Sequence, residues 1–445
     1  MVWYGTLTVG PTLWQSNDFA IATTRLRVFS RLFNFQYTEG RAANYLILTS
    51  MVRKIIHLDL DAFFCAVEEL RDPTLRSKPF AVGGQPSERG VVASCSYPAR
   101  QRGVHSAMPM SQAVRLCPNL LIVPARHQAY GEMSRRVMAQ LRMLTPLVEQ
   151  LSIDEAFLDG SELPEAGEIL ARQLQARINN ELNLSCSLGI ATNKLLAKTA
   201  NSVGKAAAKG NGPPNAITIV PPGQEAEFLA PLPCDALWGV GPKTAERLIE
   251  LGLHTIGDIA RWSEADLGRR FGKNGHDLAQ HARGIDNRPV ITQRETKSIS
   301  QETTFVRDIY DGAELRRTLE GQAEGVSRAL RRKRLTGTTI KLKLRWADFT
   351  TVTRQSTLSQ PTDNATPILN AASKLLEKIW TGQPLRLIGI GVSGLGAQVR
   401  QMNLWDKPNE KEERLQQIIQ TLQTRFGANA IQRGDQLNEF TNDES

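Results

Sequence analysis

Three acidic residues stand where the surrounding pattern predicts strands. Asp59 lies in "RKIIHLDLDAFF", and Asp154 and Glu155 lie in "LSIDEAFLDG" among Leu151, Ile153, Phe157 and Leu158. An unpaired carboxylate in such apolar surroundings costs several kcal/mol, comparable with the net stability of a whole domain. Adjacent residues of a strand point to opposite faces, so Asp154 and Glu155 act together only if the chain reverses there. Three carboxylates brought to one spot repel one another unless cations sit between them. Hard oxygen donors suit Mg²⁺, which keeps several waters and also binds phosphate oxygens. Two such ions about 3.5–4 Å apart would activate an attacking oxygen and stabilise a leaving one, the two-metal scheme of phosphoryl transfer.

Such acids need a rigid scaffold. In the first segment Ile56, Leu58 and Leu60 alternate with His57, Asp59 and Asp61, a period of two that predicts a strand. "FFCAVEELRDP" then has helical spacing and ends before Pro73. "FAVGG" and "GVVASCSY" read as short strands, residues 127–144 as an amphipathic helix, and "VEQLSIDEAFLDG" as strand, tight reversal and strand. A helix over 163–181 and a strand at "LSCSLGIATN" follow. Residues 225–284 read as short helices cut by Gly and Pro, and 285–297 as a linker. From 298 to 396 strands return at "TTIKLKLRW", "TVTRQSTL" and "RLIGIGVSGL", with two helices between them. The fold class expected is α+β, in several domains.

Composition sets the bounds. The chain has 445 residues, too many for one core, and a formal net charge of +9 that favours a polyanionic partner. No apolar run reaches the length of a membrane span. Five cysteines are scattered singly, with no Cys-x-x-Cys pair, which suits a reducing cytoplasm and argues against a disulfide scaffold or a zinc site. Residues 1–50 carry no helical stripe; Arg-rich positions 25–31 leave a transit peptide conceivable, but the reading preferred is a poorly ordered extension that the fold does not need.

"HLDLDAFFCAVEE", "YPARQRGV", "LSIDEAFLD" and "ATNKLLAKTAN" together resemble, in order and spacing, the motifs of Y-family DNA polymerases, closest to the DinB branch; the resemblance covers roughly 51–405. It implies a right-hand fold. The palm, a mixed sheet plus helices, would take 51–60 and 125–221, and small fingers 61–124. A helical thumb with a helix-hairpin-helix would take 222–290, a linker 291–297, and an α/β little finger 298–398. A tail would take 399–445. Asp59, Asp154 and Glu155 match the metal-binding carboxylates, with the Leu60 carbonyl completing the shell of the second Mg²⁺. Ser94, Tyr97 and Arg100 would flank the triphosphate, Tyr97 and Arg100 gripping its β and γ phosphates. Lys205 matches the family's phosphate-binding lysine. The family usually runs Lys-Pro-Asn-Gly into the next strand, whereas this chain runs through "AAAKGNGPP" to "NAITIV", which leaves Lys209 as a rival. Phe64 matches the steric gate that excludes a 2′-hydroxyl, with Phe63 packing beneath it, and Val91 and Ala93 form a small roof over the nascent base pair. A small roof implies little shape checking, hence low fidelity and lesion bypass, and no acid cluster suggests a proofreading exonuclease.

Two regions read as DNA clamps. In "LWGVGPKTAERLIELGL", Gly239 and Gly241 let amide hydrogens meet a phosphate and Lys243 adds charge, as in a helix-hairpin-helix. In "TTIKLKLRW", Lys341, Lys343 and Arg345 fall on one face while Ile340, Leu342, Leu344 and Trp346 fall on the other. "RALRRKRL" just before it adds Arg331, Arg332, Lys333 and Arg334. "GIGVSG" at 389–394 matches a dinucleotide-binding glycine pattern, but no βαβ unit with a ribose-binding acid follows, so it is set aside. "QMNLWD" resembles a sliding-clamp peptide, with Gln401 followed by the anchors Met402, Leu404 and Trp405; a helix is expected near "KEERLQQIIQTLQTRF".

The expected activity is Mg²⁺-dependent translesion DNA synthesis on a primer–template from deoxynucleoside triphosphates, by a cytoplasmic monomer that docks on the sliding clamp. A non-catalytic polymerase-like adaptor would lack the three acids. A metal-dependent nuclease or nucleotidyl cyclase would not need the gate Phe64 or the DNA clamps.

Overall fold

The computed structural model describes residues 53–208 and 210–397, with the isolated positions 418, 422 and 425. The chain divides into Met1–Met51 and Val52–Ser445, and all elements below belong to the second unit. The extension 1–50, the rival Lys209 and the peptide from Gln401 to Trp405 lie outside the described residues, as does the tail helix except for helical Ile418, Leu422 and Arg425.

A five-stranded sheet carries the acids. Its strands are β1 (Ile55–Leu60), β5 (Val148–Gln150), β6 (Glu155–Asp159), β7 (Cys186–Ala191) and β8 (Ile217–Ile219), in the order β5-β6-β1-β7-β8. β1 is central and antiparallel to both neighbours, while β8 runs parallel to β7. The predicted period of two holds, but both faces are covered. Ile56, Leu58 and Leu60 face a core completed by α1 (Phe63–Arg71), α4 (His127–Leu144) and α5 (Gly167–Leu182). Ile55 and Phe157 face the other way, onto α6 (Lys194–Ala207) and the helical segment beyond. α6 lies so close to β7 that a Cβ on Gly189 would stand 1.9 Å from the Ala197 carbonyl oxygen; only glycine admits that approach.

The helix expected from 163 starts at Gly167. Lys54 Nζ takes the carbonyls of Leu163 and Glu165, so these serve as a side-chain anchor rather than a first helical turn. Beyond the sheet, β2 (Phe80–Gly83), β3 (Val92–Cys95) and β4 (Leu121–Val123) form a small sheet in the order β3-β2-β4, packed on α2 (Tyr97–Arg100) and α3 (Met110–Leu116). Short helices follow, as expected: α7 (Glu225–Leu229), α8 (Pro242–Glu250), α9 (Ile256–Arg261), α10 (Glu264–Phe271) and α11 (Lys273–Ala282). A capping box at Thr255 and Asp258 starts α9.

The C-terminal sheet has four antiparallel strands in the order β11-β10-β12-β9: β9 (Ser298–Ile309), β10 (Leu335–Trp346), β11 (Thr351–Thr362) and β12 (Leu385–Ala397). α12 (Gly312–Lys333) precedes β10 and α13 (Ala365–Ile379) precedes β12, so only one helix lies between the strands named from sequence. β9 escaped the sequence reading because it is an edge strand in which only Phe305 and Ile309 are buried, too few apolar positions to make a stripe. "GIGVSG" lies inside β12, away from any strand-to-helix turn that could cradle a pyrophosphate.

Candidate functional site

β1 and β6 bring the first and third acids face to face. Asp59 and Glu155 are direct register partners, so both side chains leave the sheet on one face. The reversal at 151–155 is closed by Leu151 N–H donating to the Glu155 carbonyl at 3.0 Å, and Leu60 N–H donates to the Asp154 carbonyl at 3.0 Å. The corner is therefore tied to β1 by backbone, and Asp154 stands one residue from Glu155 at the strand end.

Their immediate partners are lysines. α6 presents Lys194, Lys198, Asn201 and Lys205 along one stripe, spaced by four, three and four residues, over the face that carries Asp59 and Glu155. Lys205 Nζ lies 2.5 Å from Asp59 Oδ1 and 3.2 Å from Asp61 Oδ1, and Lys198 Nζ lies 2.5 Å from Glu155 Oε2. Ser152 Oγ donates to Asp154 Oδ1 at 2.5 Å. Among the described residues no three His, Cys, Asp or Glu side chains enclose a point where an ion would be held. The neutralising groups within reach are ammonium groups, where the sequence reading expected Mg²⁺.

The donor set still fits a hard divalent cation. It offers carboxylate oxygens from Asp59 and Asp154, which line one cleft with Leu60, and from Glu155, the register partner of Asp59, and no sulfur lines that cleft. Burial pushes the Asp59 carboxyl up, Lys205 opposes this, and the nearby Asp154 charge adds to the upward push. Contact with His57, offset in part by burial and reinforced by Lys198, pulls the Glu155 carboxyl down to about 2. His57 Nε2 lies 3.3 Å from Glu155 Oε2, and burial lowers the His57 pKa. Asn201 Nδ2 donates to His57 Nδ1 at 2.9 Å, which leaves the ring proton on Nε2, facing Glu155.

The remaining nucleotide-pocket residues gather around the same corner. A cleft of about 690 Å³ is lined by Asp59, Phe63, Phe64, Ser94, Tyr97, Arg100 and Lys205, together with Leu60 and Asp154. Ala62 takes a left-handed conformation (φ 45°) as the first cap of α1, which turns the chain sharply from the acids into Phe63 and Phe64. Phe63 is buried, as expected for the supporting ring. Phe64 stacks on Tyr130 with ring centroids 4.2 Å apart and planes 13° from parallel. Tyr130 is fixed in turn by its hydroxyl, which donates to buried Glu68 Oε1 at 2.6 Å, while Arg126 takes the other oxygen. Arg100 lies over the Tyr97 ring at 5.0 Å, and its Nε donates to the Cys95 carbonyl at 3.2 Å. Val91 and Ala93 are exposed while Val92 and Ser94 are buried.

The DNA-clamp candidates lie elsewhere in the chain. Gly239 has φ +106°, which an L-residue rarely adopts, and Gly241 caps α8, with Lys243 in its first turn. Trp238, just before them, packs on Phe157 at 5.6 Å between centroids and lies under Lys198 and Arg288. In β10, Ile340, Leu342 and Leu344 are fully buried and Lys341, Lys343 and Arg345 line the other face. Lys343 is paired with Glu302 at 2.7 Å, and Arg345 Nε donates to Thr351 Oγ1 at 2.8 Å. Arg331, Arg332 and Lys333 form the last turn of α12, where cations also meet the negative end of the helix dipole.

Sequence reasoning passed over several residues that the geometry brings to the site. Lys194 and Lys198 were legible as one helical stripe with Lys205. Tyr130 and Glu68 were not, because their meeting depends on how α4 packs against α1. Asp61 is buried and accepts from Ser185 Oγ and Ser187 Oγ, both at 2.9 Å.

Comparison with known proteins identifies the family. Residues 58–202 match the impB/mucB/samB family, residues 222–253 its helix-hairpin-helix motif and residues 296–404 its C-terminal domain. The chain is 41% identical over 386 residues to a protein of Desulfatibacillum aliphaticivorans named DNA polymerase IV, covering 85% of this chain and 95% of that one. It is 42% identical to the DNA polymerase IV of Listeria monocytogenes serotype 4b, covering 77% of this chain and 95% of the relative. Among solved structures it is similar to the Y-family DNA polymerase chimera Dbh-Dpo4(243-245)-Dbh, with a TM-score of 0.69 and 25% identity over 78% of this chain and 100% of the other.

Proposed function

Because this chain belongs to the Y family of DNA-directed DNA polymerases, in its DNA polymerase IV branch, we propose that it extends a primer 3′ end opposite damaged templates, with Asp59, Asp154 and Glu155 as its catalytic carboxylates. In this reading residues 51–60 and 125–221 form the palm of a right-hand fold and 61–124 its fingers. The thumb is 222–290, the linker 291–297 and the little finger 298–398. The observation that carries the proposal is the cross-strand pairing of Asp59 with Glu155, beside an Asp154 carbonyl bonded to Leu60.

In this reading Asp59, Asp154, Glu155 and the Leu60 carbonyl hold two Mg²⁺ ions. When bound, these would supply positive charge to the attacking 3′-oxygen and the leaving pyrophosphate. Lys205 would join Tyr97 and Arg100 on the triphosphate, where charge-assisted hydrogen bonds are strongest. Ser94 lines the same cleft. Phe64, braced by Tyr130, stands beside the sugar and leaves no room for a 2′-hydroxyl. Val91 and Ala93 leave the nascent pair loosely covered, which favours damaged bases at the expense of fidelity. The reading includes no proofreading step.

Gly239, Gly241 and Lys243 hold one stretch of duplex backbone without reading sequence, and Lys341, Lys343 and Arg345 hold another. The peptide Gln401, Met402, Leu404 and Trp405 would dock on the sliding clamp. The protein would act as a cytoplasmic monomer; among the described residues no helix is long and apolar enough to cross a membrane.

Primer extension tests the reading. Wild-type protein with Mg²⁺ should lengthen a primer, and the double variant Asp154→Ala/Glu155→Ala should not. A protein that extends nothing in either form is an adaptor, and one that shortens the primer is a nuclease.

A further inference from the structure

Two positions before Asp59, on the same face of β1, stands a buried histidine. His57 is 2% exposed, and its cross-strand neighbours are Phe157 on β6 and Gly189 on β7. Phe157 packs against the imidazole at 4.9 Å between ring centroids. Gly189 carries no side chain, and a Cβ there would stand 2.6 Å from the Asn201 backbone nitrogen. The bare position is what lets Asn201 of α6 settle beside His57.

The Asn201 amide is oriented by more than the histidine. Its Nδ2 donates to the Ser187 carbonyl at 3.0 Å and to His57 Nδ1 at 2.9 Å, and lies 3.4 Å from the His57 carbonyl. Carbonyl oxygens only accept, so the atom among them is the nitrogen, and the imidazole nitrogen it meets is an acceptor. The ring proton therefore sits on Nε2. Among the described residues that buried atom makes no hydrogen bond of ordinary geometry, and the carboxylate oxygen before it is Glu155 Oε2, 3.3 Å away. A buried donor left open is costly to the fold, which argues that it serves the carboxylate rather than the core. Lys198 meets the same oxygen, but from a partly exposed position on a flexible stem, whereas the imidazole is fixed by Phe157 and Asn201.

We propose that His57 is a positioning residue for Glu155: its Nε2–H takes Oε2 and leaves Oε1 for the divalent cation, while Asn201 keeps the proton on Nε2. Hydrogen-bond partners of this kind orient a ligating carboxylate and strengthen metal binding. The inference rests on Glu155 being a metal ligand and goes beyond it, because it gives a role to two residues that touch neither cation nor substrate.

The test uses the full chain and three variants. His57→Gln carries an amide nitrogen out to the level of Nε2, His57→Asn carries one only to the level of Nδ1, and His57→Phe keeps the bulk of the ring with no donor. Mn²⁺ binding is read from the electron paramagnetic resonance of the free ion, with a terminated primer–template and a deoxynucleoside triphosphate present. His57→Phe and His57→Asn should each weaken Mn²⁺ binding by roughly tenfold or more, and His57→Gln should recover most of that loss. A ring that only fills space would be replaced best by Phe, which reverses the order. Nitrogen NMR of histidine-labelled wild type without metal, with the His57 signal identified by its loss in His57→Gln, should show the proton on Nε2 and a bare Nδ1. His57→Phe binding at the wild-type value, His57→Gln no better than His57→Asn, or a proton on Nδ1 would each overturn the inference. Glu155→Ala separates it from its premise. If that variant weakens Mn²⁺ binding and the His57 variants do not, only the positioning role falls. If it leaves binding unchanged, the carboxylate assignment fails and this inference with it.

Discussion

Asp59 and Glu155 face each other across the antiparallel pair of β1 and β6, and each is held by a lysine from the same stripe of α6: Lys205 on Asp59 and Lys198 on Glu155. Lys205, which also lines the cleft, is the one placed to transfer to a triphosphate. Lys205→Ala should raise the deoxynucleotide KM by roughly tenfold, the worth of a charge-assisted contact, with primer–template affinity unchanged. An unchanged KM would remove Lys205 from the triphosphate and return attention to Lys209.

Phe64 is braced by the stacked Tyr130 ring and by packing against the core. Phe64→Ala should admit ribonucleotides, improving their use relative to deoxynucleotides by roughly 100-fold or more. Tyr130→Phe keeps the stack and loses only the hydroxyl bonded to Glu68, so sugar discrimination should survive it while stability falls by about 1–2 kcal/mol. Competitive incorporation of both nucleotide types checks the first expectation and thermal unfolding the second. A Phe64→Ala enzyme that still excludes ribonucleotides would show that another group reads the sugar.

The cationic face of β10 should appear in the salt dependence of DNA binding. Each lost phosphate contact lowers the slope of log K against log salt by about 1. Lys341→Ala should show that change. Lys343→Ala should show a smaller one, because Lys343 is already paired with Glu302. Anisotropy titrations of a labelled primer–template over a range of salt would resolve the two, and equal slopes in wild type and both variants would take the strand out of the interface.

Glu149 gives the fold an acid-sensitive anchor. Its buried carboxylate takes Lys194 Nζ at 2.8 Å, Ile291 N–H at 2.9 Å and the Arg294 guanidinium, so it ties the predicted linker to the central sheet. Burial alone would raise its pKa, but these three donors outweigh burial and hold it below the usual 4.5. A carboxyl depressed in the folded state contributes stability above its unfolded pKa and loses it as pH falls through the folded one. Stability should therefore drop below about pH 4.5 in wild type, and less steeply in Glu149→Gln. Glu149→Ala should cost about 3–5 kcal/mol at neutral pH, because it strands buried Lys194. Urea unfolding across pH measures both, and parallel wild-type and Glu149→Gln profiles would show that Glu149 is not the titrating group.

Much of the fold was legible because the sheet elements around the acids carry local signals. The alternation in "IIHLDL" marks β1, the reversal in "VEQLSIDEAFLD" marks the hairpin, and the helix at 127–144 matches its predicted limits. β9 was lost because an edge strand with only Phe305 and Ile309 buried has no apolar stripe to read. The site was legible as a set of residue types but not as a set of partners. Sequence placed carboxylates together and inferred that cations must neutralise them, yet it named only Mg²⁺. The lysines at 194, 198 and 205 share a helical face, but their meeting with the acids depends on α6 crossing β7 at Gly189, a packing fact with no local signature. Asp61 reads from sequence as one more alternating acid; its link to Asn215 spans 154 positions and exists only in the folded chain.

The central claim is that Asp59, Asp154 and Glu155 would together hold the divalent ions beside the bound triphosphate. The direct measurement is anomalous scattering from a crystal of the protein with a terminated primer–template, an incoming deoxynucleoside triphosphate and Mn²⁺ in place of Mg²⁺. The account predicts two Mn²⁺ peaks coordinated by these carboxylates, with Lys205 moved onto the triphosphate. Bound nucleotide with no peak at the corner, and Lys198 and Lys205 still on Glu155 and Asp59, would contradict it.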